Sequence, residues 1–282
     1  MSTFVVLGAS GTVGRELAQG LEAAGHEVRR TTSRTPAAGQ VHLDLVSGRG
    51  IDEALRGADG AFLLAPPGFT NQDVLLTPVI DAARRLGLGK LVLMSAMGVD
   101  ANPEAPLRKA ELALEASGVA WNVMRPNWFM QNFHTYWLHG IATQQAILLP
   151  VGEGRTSFID ARDIADVAAA LLQRSEFNNR AFDLTGGESL THAEVAAVLS
   201  RELGQTIRFE DLTVDEARPL LLGAGLPADY AEFLLVILSY IKAGYSERIT
   251  DAVPSILGRE PRRFTEYARD YREAYPKAVS AL

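Results

Sequence analysis

Near its N-terminus the sequence reads Phe4-Val5-Val6-Leu7-Gly8-Ala9-Ser10-Gly11-Thr12-Val13-Gly14. Its first four residues are an apolar, β-forming run, and apolar residues then recur at helical spacing from Arg15 to Ala24. The stretch therefore predicts a buried strand, a glycine turn and a helix. In a parallel sheet such a turn aims free helix N–H groups at a phosphate, so we expect a dinucleotide pyrophosphate here. A turn that binds nothing is the alternative. The predicted contacts are Gly8, Ser10, Gly11, Thr12, Val13 and Gly14.

The rest of the chain extends this pattern into a sheet. Strand-like segments follow at Glu27–Thr32, Val41–Leu45, Ala61–Ala65, Lys90–Ser95, Ala120–Met124 and Ala181–Leu184, and most are separated by helical patterns. Apolar strands that alternate with helices indicate a parallel sheet covered on both faces. We predict a Rossmann-type, doubly wound α/β fold with its core in residues 1–127 and 158–187. A smaller, mainly helical substrate-side lobe is expected in residues 128–157 and 188–282.

Composition excludes several classes of site and partner. The 282 residues contain no cysteine and carry a net charge of −7. Disulfides, cysteine-bound metals and a thiol nucleophile are thereby excluded, and nothing favours nucleic acid or anionic lipid. The start, Met1-Ser2-Thr3, lacks a secretion signal and no apolar stretch is long enough to cross a membrane, so we expect a cytoplasmic protein. Asp160 and Asp163 form a carboxylate pair, for which we favour helix capping by Asp163 over a metal site.

The end of the second strand bears on the choice of dinucleotide. NAD sites usually place a carboxylate there, whereas this chain has Thr31-Thr32-Ser33-Arg34. A guanidinium pairs well with a ribose 2′-phosphate, so Ser33 and Arg34 predict NADP(H) in preference to NAD(H). After the third strand, Asp44 is placed either to bind the adenine amino group or to cap a helix, and Leu45 to contact the ring.

Segments along most of the chain resemble the NmrA-like branch of atypical short-chain dehydrogenases. They are Val6–Gly14, Leu93-Met94-Ser95-Ala96, Lys109-Ala110-Glu111, Arg125–Asn132, Phe158–Ala165 and Leu184-Thr185-Gly186. That branch includes NADPH-dependent quinone reductases, triphenylmethane reductase, festuclavine and agroclavine dehydrogenases, and redox sensors that bind dinucleotide without turnover. The resemblance implies that two loops flank the nicotinamide, that Lys109 approaches its ribose, and that Met97 lies on the substrate side. The loop residues are Leu64, Ala65, Pro66, Ser95 and Ala96.

One departure from the wider superfamily bears on chemistry. The superfamily has a proton-donating tyrosine four residues before the lysine, but Ala105 stands there in this chain. Ketone reduction needs such an acid, whereas an iminium or a quinone accepts hydride without one. The aromatic segment after Pro126 is expected either to bind the acceptor or to belong to the core. Its candidates are Asn127, Trp128, Phe129 and Trp137 for binding, and His134 and Tyr136 as proton donors. Lys109 is the third candidate catalytic residue, because its charge could stabilise developing negative charge.

Three functions remain in order of preference. The first is an NADPH-dependent reductase that passes hydride to a planar, electron-poor small molecule, aromatic or conjugated. The second is a non-catalytic NADP(H) sensor, which would act through a protein partner. The third, a nucleoside-diphosphate-sugar epimerase, requires the missing tyrosine and ranks last.

Overall fold

The computed structural model describes residues 1–276. Its strands are β1 Thr3–Val6, β2 Glu27–Thr32, β3 Gln40–His42, β4 Gly60–Leu63, β5 Lys90–Met94, β6 Ala120–Pro126, β7 Ala146–Leu149, β8 Arg155–Thr156, β9 Arg180–Leu184, β10 Leu190–Thr191 and β11 Arg208–Asp211. Its helices are α1 Thr12–Ala23, α2 Ile51–Leu55, α3 Gln72–Leu86, α4 Pro106–Glu115, α5 Leu138–Gln144, α6 Ala161–Gln173, α7 His192–Leu203, α8 Val214–Gly223, α9 Ala228–Lys242, α10 Ala252–Leu257 and α11 Phe264–Asp270. Short 3₁₀ turns join some of these elements.

Seven parallel strands form the main sheet, in the order β3-β2-β1-β4-β5-β6-β9. Successive strands run outward from β1 in one direction and from β4 in the other, so the strand order reverses between β1 and β4. In open α/β sheets ligands bind beyond the carboxyl ends of the strands at such a reversal. The predicted Rossmann-type fold is confirmed, and it places the glycine turn at this reversal.

Helices cover both faces of the sheet. Alternate strand residues, such as Val5, Leu63 and Leu91, join a buried cluster with Ile80 of α3 and Leu114 of α4. On the other side, α1 packs against α6, and α6 contacts β4, β5 and β6. Because both faces are buried, the central strands are apolar without alternation, as the sequence pattern predicts.

The chain divides into two compact units. Unit 1 comprises Met1–Pro126, Ala161–Leu184 and Pro254–Gly258, and unit 2 comprises Asn127–Asp160, Thr185–Val253 and the chain from Arg259 on. Of the predicted core, residues 127, 158–160 and 185–187 fall in unit 2, and of the predicted lobe, residues 254–258 fall in unit 1. The last six residues of the predicted lobe lie outside the described residues.

Unit 2 contains strands that the expectation of a mainly helical lobe missed. β7 pairs in parallel with β11, and β8 pairs antiparallel with β10. Its core includes the aromatic residues Phe133, Phe158, Phe264 and Tyr267. Helices α7 and α8 each begin with a reciprocal capping box, formed by Thr191 with Glu194 and by Thr213 with Glu216.

The predicted cap at Asp163 is wrong. α6 begins two residues earlier, at Ala161, so Asp163 lies buried inside the first turn. Asp160 is the residue before the helix, and its Oδ1 accepts a hydrogen bond from Gln131 Nε2 at 2.8 Å. Within residues 1–276 we find no group of three or more potential ligands arranged to hold a metal ion. No helix in that range has the length and apolar character to cross a membrane.

Candidate dinucleotide site

The glycine loop after β1 is a tight turn closed by its own backbone. Gly8 has φ +65°, a left-handed conformation that favours glycine, and Gly11 N–H donates to its carbonyl oxygen at 2.8 Å. A Cβ added at Gly14 would lie 2.3 Å from that same oxygen. The loop therefore lies against the first turn of α1 at a distance that only glycine permits.

The N-terminus of α1 has no side-chain cap. Gly11 occupies the N-cap position, and the first turn carries no acidic residue. The first i to i−4 hydrogen bond of α1 runs from Arg15 N–H to Gly11 O, at 3.1 Å. The N–H groups of Thr12, Val13 and Gly14, which precede it, therefore have no partner within the helix. Ser10 and Gly11 are exposed beside them. Such a terminus suits a phosphate by hydrogen bonding and by its dipole.

The arginines around the end of β2 differ in how they are used. Arg29 Nη1 donates to the carbonyl oxygens of Ala54 and Arg56, and Arg30 pairs with both carboxylate oxygens of Glu22. Arg34 is exposed, and within residues 1–276 its guanidinium has neither a hydrogen bond nor an ion pair. Arg34 and the exposed Ser33 beside it thus have side chains available to a ligand.

Asp44 lies in a turn and caps no helix. Its carboxylate accepts hydrogen bonds from the Ser47 hydroxyl and from Val46 N–H, which lower the pKa of Asp44. α2 begins later, with Gly50 at its N-cap, so the helix-cap interpretation is wrong. Leu45 is half-buried and packs on the unit 1 core.

Two loops follow β4 and β5 at the same edge of the sheet. Leu64, Ala65 and Pro66 are half-buried after β4, and the Leu64 side chain lies 2.7 Å from where a Cβ on Gly8 would be. After β5, Ser95 is buried while Ala96 and Met97 are half-buried. Unit 1 thus brings together the predicted residues of these loops with the glycine turn, since carboxyl ends of parallel strands share one edge.

Lys109 lies in the second turn of α4, which begins at this edge. Its ammonium pairs with the exposed carboxylate of Glu104 at 2.8 Å. The hydrogen bond and charge of Glu104 raise the pKa of Lys109, so the side chain stays cationic. Ala105 is the N-cap of α4, and Lys109 N–H donates to its carbonyl oxygen at 2.9 Å. The residue four positions before Lys109 therefore carries no hydroxyl.

In the aromatic segment of unit 2, Phe133 belongs to the buried core, and Trp128 and Trp137 are half-buried and pack against it. Trp137 packs edge-on against Phe133, with ring centroids 4.7 Å apart, and lies 5.8 Å from Trp128. Phe129 is half-buried and forms an isolated bridge with Ile159.

Asn127 connects separate segments of unit 2 through hydrogen bonds. Its Nδ2 donates to Ser157 Oγ and to Ser246 O, at 2.7 and 2.8 Å. Its Oδ1 accepts from Trp128 N–H at 2.9 Å. This buried amide uses both its donor and its acceptor groups in hydrogen bonds within unit 2. Asn127 therefore stabilises the packing of these segments against one another.

The two predicted proton donors lie in different surroundings. Tyr136 is 67% exposed. His134 is half-buried, and its Nδ1 lies 2.7 Å from Tyr267 Oη, which in turn lies 2.8 Å from Tyr275 Oη. The sequence gives no signal for this series of hydrogen bonds, because the two tyrosines follow His134 by more than 130 residues and no spacing links them to it. Burial raises the pKa of the Tyr275 hydroxyl well above its ordinary value, so this hydroxyl stays protonated.

The sequence matches a known family and several characterised proteins. Residues 8–175 match the model of a family described as NAD(P)H-binding. An NAD(P)H azoreductase from Xenophilus azovorans is 30% identical, over 97% of this chain and 99% of that protein. A (4-alkanoyl-5-oxo-2,5-dihydrofuran-3-yl)methyl phosphate reductase from Streptomyces griseus is 34% identical, over 96% and 98%.

Solved structures share the fold at lower identity. Triphenylmethane reductase of Citrobacter sp., complexed with NADP(H), superposes with a TM-score of 0.81 at 20% identity, over 95% of this chain and 99% of that one. NmrA, a negative transcriptional regulator in complex with NADP, gives 0.77 at 18%, over 96% and 95%. A nucleoside-diphosphate-sugar epimerase from Staphylococcus aureus gives 0.80 at 18%, over 95% and 99%. These three unlike functions show that the fold alone does not select one. By the family model that it matches and by these relatives, which include oxidoreductases, the chain belongs to the NAD(P)H-binding family.

Proposed function

We propose that this protein is an NADPH-dependent reductase that transfers hydride to a planar, electron-poor acceptor such as a quinone or an iminium. The observation that carries the proposal is the bare N-terminus of α1 behind a glycine loop that tolerates no Cβ at Gly14. The amides of Thr12, Val13 and Gly14 would hold the pyrophosphate, and the guanidinium of Arg34 with Ser33 would hold the 2′-phosphate. NADPH, when bound, supplies the hydride.

The remaining unit 1 residues would orient the cofactor. Lys109 is cationic, and its partner Glu104 is exposed, so the ammonium can exchange that partner for a ribose hydroxyl. Asp44 and Leu45 would contact the adenine, and the loops at Leu64–Pro66 and Ser95–Ala96 the nicotinamide. Met97, Trp128, Phe129 and Trp137 stay predictions for the acceptor, as do His134 and Tyr136 for a proton.

The class of acceptor follows from Ala105. A ketone becomes an alkoxide that needs a nearby acid, and no such group is present four residues before Lys109. Hydride addition to an iminium neutralises a cation, and a hydroquinone anion takes its proton from water. The azoreductase and the furanone phosphate reductase among the relatives likewise favour a conjugated acceptor.

The test is NADPH oxidation against a panel of quinones, iminium dyes and simple ketones. We expect turnover with quinones or iminium dyes, slower turnover with NADH, and none with ketones. Binding of both NADPH and NADP⁺ with no turnover on the whole panel would reject the reductase and favour the sensor, a function that the paired state of Lys109 and the absent tyrosine also fit. Turnover of ketones alone would contradict the argument from Ala105.

A further inference from the structure

A charged cluster is buried in unit 1 beneath the loop that follows β5. Glu111 of α4 is 0% exposed and Arg125 of β6 is 8% exposed. Arg125 Nε donates to Glu111 Oε1 at 3.0 Å, and Nη2 donates to Oε2 at 2.7 Å. Burial raises the pKa of Glu111, but hydrogen bonds, first from Arg125, outweigh burial and lower it overall. The pair is therefore ionised at neutral pH.

The cluster extends from this pair in two directions. Arg125 Nη1 also donates to Asp100 Oδ2 at 2.8 Å, and Asp183 Oδ1 of β9 lies 3.8 Å away. On the α4 side, Arg108 pairs with Glu111 and with Glu115, each at 2.7 Å. A buried ion pair contributes little net stability compared with apolar packing of the same shape. We therefore ask which part of the structure the pair of Arg125 and Glu111 holds in position.

That geometry concerns the loop from Ser95 to Asp100. Ser95 N–H donates to Met124 O at 2.7 Å, and Met97 N–H donates to Pro126 O at 3.1 Å. Between these two carbonyls, the Arg125 side chain reaches Asp100 at the far end of the loop. The consecutive β6 residues Met124, Arg125 and Pro126 thus all hydrogen-bond to this one loop. Glu111 fixes the side chain of Arg125, the middle residue of the three.

We propose that Arg125 is a positioning residue for the nicotinamide side of the cofactor site: held by Glu111, it fixes the loop Ser95–Asp100 through Asp100. This inference rests on the proposed function, because it assigns that loop to the nicotinamide. It predicts that loss of the Asp100 tether disturbs the nicotinamide end of the cofactor and leaves the adenine end bound as before.

The test uses Asp100→Asn in the full chain, because Asp100 is 45% exposed at its side chain and the substitution leaves Glu111 paired with Arg125. We expect an unchanged melting temperature and an affinity for 2′-phospho-ADP-ribose, which lacks nicotinamide, within about twofold of wild type. The change in nicotinamide fluorescence when NADPH binds should be reduced, and the single-turnover hydride transfer rate should fall about tenfold. Asp100→Glu should restore part of both.

Asp52→Asn is the matched control, because Asp52 forms an ion pair of the same kind with Arg85, at 2.7 Å, elsewhere in unit 1. It should change none of these readouts. The proposal is overturned if Asp100→Asn leaves fluorescence and rate unchanged, or if fragment affinity falls as much as NADPH affinity. If the wild type binds NADPH but reduces nothing, the reductase proposal fails, and the fluorescence comparison still decides the role of Arg125. If the wild type does not bind NADPH, both proposals fail.

Discussion

Helix α1 contains two glycines for which the same substitution should have opposite effects. A Cβ at Gly14 would lie 2.3 Å from Gly8 O, 2.7 Å from Gly8 C and 3.0 Å from Ala9 Cα, all of them backbone atoms. Ordinary contact begins at 3.4 Å, so the loop must move by about 1 Å to accept the methyl group. At Gly20 an added Cβ meets nothing within 4 Å.

Gly14→Ala should lower the free energy of unfolding by about 1–3 kcal/mol, the usual cost of overpacking. Because the displaced loop leads into the amides proposed to hold the pyrophosphate, the Kd for NADPH should rise at least about tenfold, or about 1.4 kcal/mol. Gly20→Ala should raise the free energy of unfolding by about 0.5–1 kcal/mol, since alanine is the better helix former, and leave the Kd unchanged. Urea unfolding and titration calorimetry measure both quantities. If Gly14→Ala binds NADPH with wild-type affinity, or if both variants change the Kd for NADPH equally, the close packing at Gly14 does not shape the pyrophosphate site.

Three further predictions concern the cofactor, a buried histidine and a helix cap. Arg34→Ala should weaken NADPH about 10- to 100-fold and NADH little, by calorimetry, while Arg84→Ala at the opposite edge of the sheet changes neither; equal losses for the two cofactors would exclude Arg34 as the 2′-phosphate partner. Burial lowers the pKa of His192 from 6.5 to about 4, so the unfolded chain binds the proton first and stability is lost as pH falls from 6.5 towards 4. Relative to His192→Leu, the wild type should therefore lose about 2 kcal/mol of unfolding free energy between pH 8 and pH 5, and parallel pH profiles would show that the imidazole is not buried neutral. Thr191→Ala should cost about 1 kcal/mol by removing the hydroxyl that accepts Glu194 N–H, whereas an unchanged urea midpoint would mean that the cap contributes nothing.

The main sheet was predictable because its strands are short runs between glycines, prolines and helical patterns. Phe4–Leu7, Ala61–Leu64 and Lys90–Ser95 mark central strands that are buried on both faces. β11 was not predictable, because Arg208-Phe209-Glu210-Asp211 has no apolar run and becomes a strand only by pairing with β7 some sixty residues earlier in the chain. Tertiary pairing decides such segments.

In the candidate site, too, features set by local sequence were predictable and features set by distant partners were not. The glycine loop was predictable, because backbone geometry constrains residue type at a local turn. The hydrogen bonds of Asn127 and those that link His134 to two tyrosines were not predictable, because the partner residues come from distant segments of the chain. One signal for the buried cluster was available: Arg125 ends a buried strand, and a buried guanidinium requires a charged partner. The sequence does not say that Glu111 and Asp100 are those partners.

The most direct test of dinucleotide binding is calorimetric titration of the folded full chain with NADPH. We expect one NADPH to bind per chain, more tightly than NADH. Absence of binding heat with NADPH, NADP⁺, NADH and NAD⁺ across several temperatures would contradict the claim that the bare N-terminus of α1 holds a dinucleotide.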